Sequence, residues 1–223
     1  LYQTLVELSA KHPGQSEIAL RQAKGAVNLI SAYGNEGELK QAASLYQTLV
    51  ELSAKHPGQS EIALRQAKGA VNLISAYGNE GELKQAASLY QTLVELSAKH
   101  PGQSEIALIQ AQGAVNLITA YGNQGELKQA ASLYQTLIGV STDSPELAEI
   151  ALRACLALVR FKIKNKFLFW ALSCQGEVKR LSEYALSEQS KKLLGLLSVL
   201  FLYAKGEVLA DEEQALVRQL ISS

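Results

Sequence analysis

The order of apolar and polar positions between Pro57 and His100 predicts two helices of different character. At about 100° per residue, Ile62, Leu64, Ala67, Ala70, Val71, Leu73, Ile74, Ala76 and Tyr77 cover most of the first helix. Its polar residues Glu61, Arg65, Lys68, Asn72, Ser75 and Asn79 form one narrow stripe. A helix that is apolar on several sides and wet along one line belongs inside a stack. In the second helix Lys84, Gln85, Ser88, Gln91, Thr92, Glu95 and Lys99 share one arc. Leu83, Ala86, Tyr90, Leu93, Val94, Leu96 and Ser97 fill the other, the pattern of a one-sided outer helix. Pro57 suits a first helical turn, where its missing N–H has no partner to lose, and Ser60 is an alternative N-cap. Gly78-Asn79-Glu80-Gly81 breaks the first helix, since Gly and Asn tolerate left-handed dihedrals. The second helix starts near Glu82 and ends before Pro101, because the residue ahead of a proline avoids the helical region.

This pair is one copy of a repeat. Residues 1–44 and 45–88 are identical, and residues 89–132 differ from them at four positions, Ile109, Gln112, Thr119 and Gln124. The period is 44, marked by Pro13, Pro57, Pro101 and Pro145. Beyond Pro145 the copy degrades, although residues 145–163 keep the first-helix pattern. Lys164-Asn165-Lys166 stands where the Gly-rich turn belongs, and Phe167, Ala171, Cys174, Val178, Leu181 and Ala185 then recur at helical spacing. A rival register takes Gln175-Gly176-Glu177-Val178 as the turn. The first is preferred because it preserves the 44-residue period. A terminal pair is expected at 189–204 and 210–221, with Asp211 as N-cap. The predicted organisation is an orphan outer helix in 1–12, three near-identical helix pairs in 13–144, a divergent fourth repeat in 145–188 and a capping pair in 189–223.

The unit resembles the tetratricopeptide repeat. Leu73 falls on that motif's first large residue, Tyr77 on its Tyr, Gly81 on the turn Gly, Ala86 on the Ala and Tyr90 on the aromatic. The set recurs at Leu29, Tyr33, Gly37, Ala42 and Tyr46, and at Leu117, Tyr121, Gly125, Ala130 and Tyr134. Ile74 stands where the motif has its first Gly, and Leu93 where it has its second Ala. At 44 residues the unit is similar to the extended kinesin-light-chain type, which also opens with His-Pro. The resemblance implies an all-α fold, an α-solenoid of stacked antiparallel helix pairs forming a right-handed superhelix. It also implies protein–protein interaction through the concave face.

Composition narrows the function. The 223 residues carry 21 basic and 21 acidic side chains, a net charge of zero. That argues against a general nucleic-acid binder, which needs excess cation. Two cysteines exclude a disulfide scaffold and fit a reducing compartment, so a cytoplasmic location is expected. Cys155, aligned with Ala111, and Cys174, on an apolar face, read as small core residues. The histidines occur one per repeat with no Cys, Asp or Glu at ligand spacing, so no metal is expected. No phosphate loop or hydrolase motif is present, no cofactor is implied, and identical units do not converge different groups on one point. The expectation is a non-enzymatic chain. Residues 193–204 are twelve without charge, short of the roughly 20 that cross a membrane. They read as a buried inner helix, and no membrane partner is expected.

The polar stripe is the candidate site. Arg21, Lys24, Asn28, Ser31 and Asn35 recur as Arg65, Lys68, Asn72, Ser75 and Asn79, and in part as Gln112, Asn116 and Thr119. Stacked copies would present these rows to an extended peptide or protein segment. Ile109 and Gln112 make the third copy less basic. The Lys–Asn carboxylate clamp of the chaperone-tail type is not expected, since its positions carry Val27 and Ser31. The plain alternative is a solvated face, with Glu61 and Arg65 as a helical i,i+4 pair. A competing role is assembly, with repeats stacking through their ends and no groove ligand. Leu1, Leu5, Val6 and Leu8 would then lie open at one end, and two copies would meet there as a homodimer.

Overall fold

The structure is a computed structural model that describes residues 2–139, 144–184 and 187–222. Leu1 and Ala185 lie outside the described residues. The chain is an all-α solenoid of helical repeats. It divides into two compact units, Leu1–Leu117 and Ile118–Ser223.

The first unit holds α1 (Tyr2–Lys11), α2 (Ser16–Asn35), α3 (Leu39–Lys55), α4 (Ser60–Asn79), α5 (Leu83–Lys99) and most of α6 (Ser104–Asn123). Each first helix packs on the second helices before and after it: α2 on α1 and α3, α4 on α3 and α5. The first helices α2 and α4 also pack directly along each other, whereas α3 and α5 are joined mainly through α4. The first helices therefore make the more closely packed layer of this unit. Their apolar arcs are buried as the pattern requires: Ile62, Ala67, Ala70, Leu73 and Ile74 are nearly inaccessible. On the second helix Ala86, Leu89, Leu93 and Leu96 are buried. Each such leucine contributes roughly 1.5–3 kcal/mol, and in a stack of this kind it does so between neighbours only.

Several boundaries differ from the sequence reading. Pro57 does not start a helix. It sits with Gly58 in a turn closed by Gln59 N–H donating to His56 O at 2.9 Å, and α4 begins at Ser60 with Gln59 at the cap position. The same turn recurs after His12 and His100, closed at 3.0 Å in each case. Pro145 alone among the four prolines occupies a first helical position, behind Ser144, whose Oγ accepts from Leu147 N–H at 3.2 Å. Gly78 remains helical and buried; only Gly81 leaves the helical region, at φ 76°.

The second unit holds α7 (Leu127–Gly139), α8 (Pro145–Lys164), α9 (Leu168–Leu172), α10 (Gln175–Ser182), α11 (Glu188–Lys205) and α12 (Asp211–Ser222). Helix α8 is its axis, packed against α7, α9, α10, α11 and α12. The turn after α8 is at Asn165-Lys166, as expected, and Gly176 lies inside α10, which removes the rival register. The 44-residue period is not preserved. Phe167 N–H donates to Lys162 O at 2.8 Å where Glu126 N–H donates to Tyr121 O at 2.8 Å, so the fourth turn comes three residues early. Pro145, unlike Pro101, stands inside the helix rather than in a turn. In this register Cys155 replaces Ala114, not Ala111.

The helix expected from Phe167 onward is broken at Ser173-Cys174 into α9 and α10. Helix α11 is buried along one side by Leu193, Leu197, Leu200, Phe201 and Ala204, while Gly195, Ser198 and Tyr203 are exposed. It is a one-sided helix, not a wrapped inner one. Asp211 is the first residue of α12 rather than its cap, and Glu213 Oε2 accepts from Ala210 N–H at 3.0 Å instead. Among the described residues no helix is long and apolar enough to cross a membrane.

Candidate functional site

The stripe residues of α2 and α4 lie on adjacent helices in one layer, so the structure brings those two rows together. On α2 Arg21, Lys24, Asn28, Ser31 and Asn35 are all exposed. On α4, flanked on both sides, Arg65, Lys68, Asn72 and Ser75 are half-buried and Asn79 is exposed. The arginines are engaged within their own helices. Arg21 donates to Glu17 at 2.7 Å and Arg65 to Glu61 at 3.2 Å, the i,i+4 pairing the spacing implied. Lys24 and Lys68 have no ion-pair partner among the described residues, so they are the available cations. On α6 the stripe closes on itself: Gln112 Nε2 donates to Asn116 Oδ1 at 3.0 Å. Thr119, half-buried, falls in the second unit.

Two hollows of the first unit lie elsewhere. One of about 470 Å³ opens between α1 and α3, lined by Val6, Gln22, Glu51, Lys55 and His56 among others. Another of about 510 Å³ lies between α3 and α5, lined by Tyr46, Gln47, Tyr77, Lys84 and Gln85 among others. Both follow from the splaying of the second helices. Between them runs a polar pairing that periodicity did not single out. Gln22 and Gln66 are 4% and 6% exposed, on the apolar side of their helices. Gln22 faces the Tyr2 hydroxyl, Gln66 that of Tyr46 and Gln110 that of Tyr90, each from the preceding second helix. The Tyr46 hydroxyl is buried short of hydrogen-bond geometry, and burial raises its pKa. The legible signal was a glutamine recurring every 44 residues outside the stripe.

In the second unit both cysteines are free and buried, as the sequence implied. What spacing did not reveal is that they face each other, with a buried lysine on one of them. Lys162, 9% exposed, takes the place of the repeat tyrosine. Its Nζ donates to Trp170 O at 2.9 Å, to Ser173 Oγ at 3.4 Å and to Cys174 Sγ at 3.9 Å. The ammonium thus satisfies a carbonyl freed where α9 ends. The Cys155 thiol and the Lys162 charge pull Cys174 down to about 7, with Ser173 assisting. The bond to Cys174 and complete burial push the Cys155 thiol up. Burial raises the Tyr134 hydroxyl, which lies beside Cys155. Among the described residues no three His, Cys, Asp or Glu side chains gather as a metal set.

Two segments, residues 27–53 and 71–97, match the family model of the PPR repeat. Each runs from the middle of a first helix, α2 or α4, into the second helix that follows, and they are one 44-residue period apart. No curated protein and no solved structure matches the chain. The match supports a helical-repeat family and a binding scaffold.

Proposed function

We propose that the chain is a non-enzymatic, tetratricopeptide-like scaffold that binds an extended acidic peptide along the face of α2 and α4. Lys24 and Lys68 carry this reading. They are cations without carboxylate partners among the described residues, repeated on two helices in direct contact. Asn28 and Asn72 lie one turn further along the same stripe and offer amide groups for a peptide backbone. The tight inner layer gives a long ligand a continuous surface, and the graded third copy sets a direction along it. The 44-residue unit favours the extended, kinesin-light-chain-like form of the repeat.

Single-stranded RNA is the second reading, since RNA is the typical ligand of PPR proteins and the PPR matches include parts of α2 and α4. A displayed library of random peptides and a random single-stranded RNA pool, each selected on the whole chain, separate the two. Enrichment of acidic peptides supports the proposal. Exchange of Lys24 and Lys68 to Gln should then weaken the selected peptide about tenfold or more and flatten its salt dependence. Retention of RNA without peptide enrichment replaces the ligand class. Enrichment of neither, or affinity unchanged by the exchange, leaves the face solvated and favours the assembly role.

A further inference from the structure

The turn after α8 differs from its counterparts in a way that the fold does not require. In the third copy the sequence from the helix end is Asn123-Gln124-Gly125-Glu126-Leu127-Lys128-Gln129; in the fourth it is Lys164-Asn165-Lys166-Phe167-Leu168-Phe169-Trp170. The hydrogen bonds that close the two turns correspond, so the positions do too. Glu126, Lys128 and Gln129 are exposed, as polar side chains should be. Their replacements stay exposed: Phe167 by 49%, Phe169 by 82% and Trp170 by 63%, with Leu168 at 36%. Three polar surface positions have become aromatic and remain exposed, Phe167 and Trp170 along a hollow that they share with Leu127, Lys128 and Ala131, and local charge has moved from neutral to two lysines.

The tip is held in shape. Lys166 N–H donates to Ile163 O at 2.9 Å, and Asn165 Nδ2 donates to Phe161 O at 2.8 Å. Trp170 O accepts from Lys162 Nζ at 2.9 Å and Ser173 Oγ at 2.7 Å. Lys164 and Lys166 are exposed and have no acidic partner among the described residues. Contiguous exposed aromatics normally mark an interaction surface. A turn that exposes two Phe, a Leu and a Trp beside lysines matches the layered chemistry of a bilayer interface. Aromatic rings, Trp above all, settle at headgroup depth, and lysines are drawn to anionic headgroups. Leu168 has no stacking role on a nucleic acid, but it adds apolar area in lipid.

We propose that the α8–α9 turn docks the protein on an anionic membrane surface, inserting Phe167, Phe169 and Trp170 with Lys164 and Lys166 on the headgroups. The chain would lie on the bilayer without crossing it. This stands independently of the ligand of the α2–α4 face.

Trp170 is the only tryptophan of the chain, so its emission reports on the tip directly. The whole chain is titrated with vesicles of phosphatidylcholine containing about one third phosphatidylserine, and with neutral phosphatidylcholine vesicles. The expected result is a blue shift on the anionic vesicles, quenched by lipids brominated near the headgroup, and weak or absent on neutral ones. Exchange of Lys164 to Gln and Lys166 to Asn should weaken partitioning about thirtyfold. Phe169→Gln should weaken it about tenfold or more while circular dichroism stays unchanged, because that ring is almost fully exposed. No shift on either vesicle, or an equal shift on both, overturns the proposal. A shift with single-stranded RNA alone overturns it in favour of base stacking.

Discussion

Lys162 Nζ lies 3.9 Å from Cys174 Sγ, at the point where the fourth repeat breaks its second helix. The pair links chemistry to packing: the ammonium bridges the end of α9 and the first residues beyond it. Cys174 is depressed from its ordinary 9.0 to about 7, while Cys155 moves up. Between pH 7 and 9 the folded pair therefore holds one proton fewer than the unfolded chain, so stability rises with pH across that window. Above pH 9 the unfolded chain releases both protons while folded Cys155 keeps its own, and stability falls again. The rise should be on the order of 1 kcal/mol per pH unit at most. Urea unfolding from pH 6 to 10, under reducing conditions, measures it. Cys174→Ser should flatten the difference across the window, and Lys162→Met should reduce it.

Lys166 adopts φ 63°, the conformation taken by Gly37, Gly81 and Gly125 at 74°, 76° and 76°. A side chain there costs roughly 1–2 kcal/mol relative to glycine. Lys166→Gly should raise the midpoint of thermal unfolding by a few degrees, and by the membrane proposal it should also weaken binding to anionic vesicles. Unchanged stability would mean that the turn is held by its hydrogen bonds without strain.

Residues 45–88 form one whole copy, from within α3 to within α5. Their removal joins identical surfaces, so the shortened chain should remain helical and fold cooperatively with lower total stability. Circular dichroism and a denaturant titration test this; an unfolded product would contradict nearest-neighbour stacking.

Helix α1 has no fully buried side chain, and Leu8 is 39% exposed while Leu5 and Val6 are half-covered. The 1–223 chain should form concentration-dependent dimers through this helix. Leu8→Glu should abolish them without loss of helicity, as read by sedimentation. A monomer at all concentrations would show that α1 needs no further cover.

The helical hairpin, its period and the split into inner and outer helices were legible because three copies repeat one amphipathic code. Burial of Leu73 and Leu93 and exposure of Lys24 and Arg21 follow from 3.6-residue geometry alone. The Glu61–Arg65 pair is equally local, since four residues on a helix define their own distance. Tertiary structure decided the rest. Whether Pro57 starts a helix or makes a turn depends on three loop residues, and those are free to vary until neighbouring helices dock. Gln66 meets Tyr46, and Lys162 meets Cys174, across separate elements whose spacing along the chain carries no distance information. Exposure of Phe169 and Trp170 was the least legible of all. An apolar run in sequence is expected to be buried, and only the placement of α8 and α9 leaves this one exposed, with Phe167 and Trp170 beside a hollow against α7.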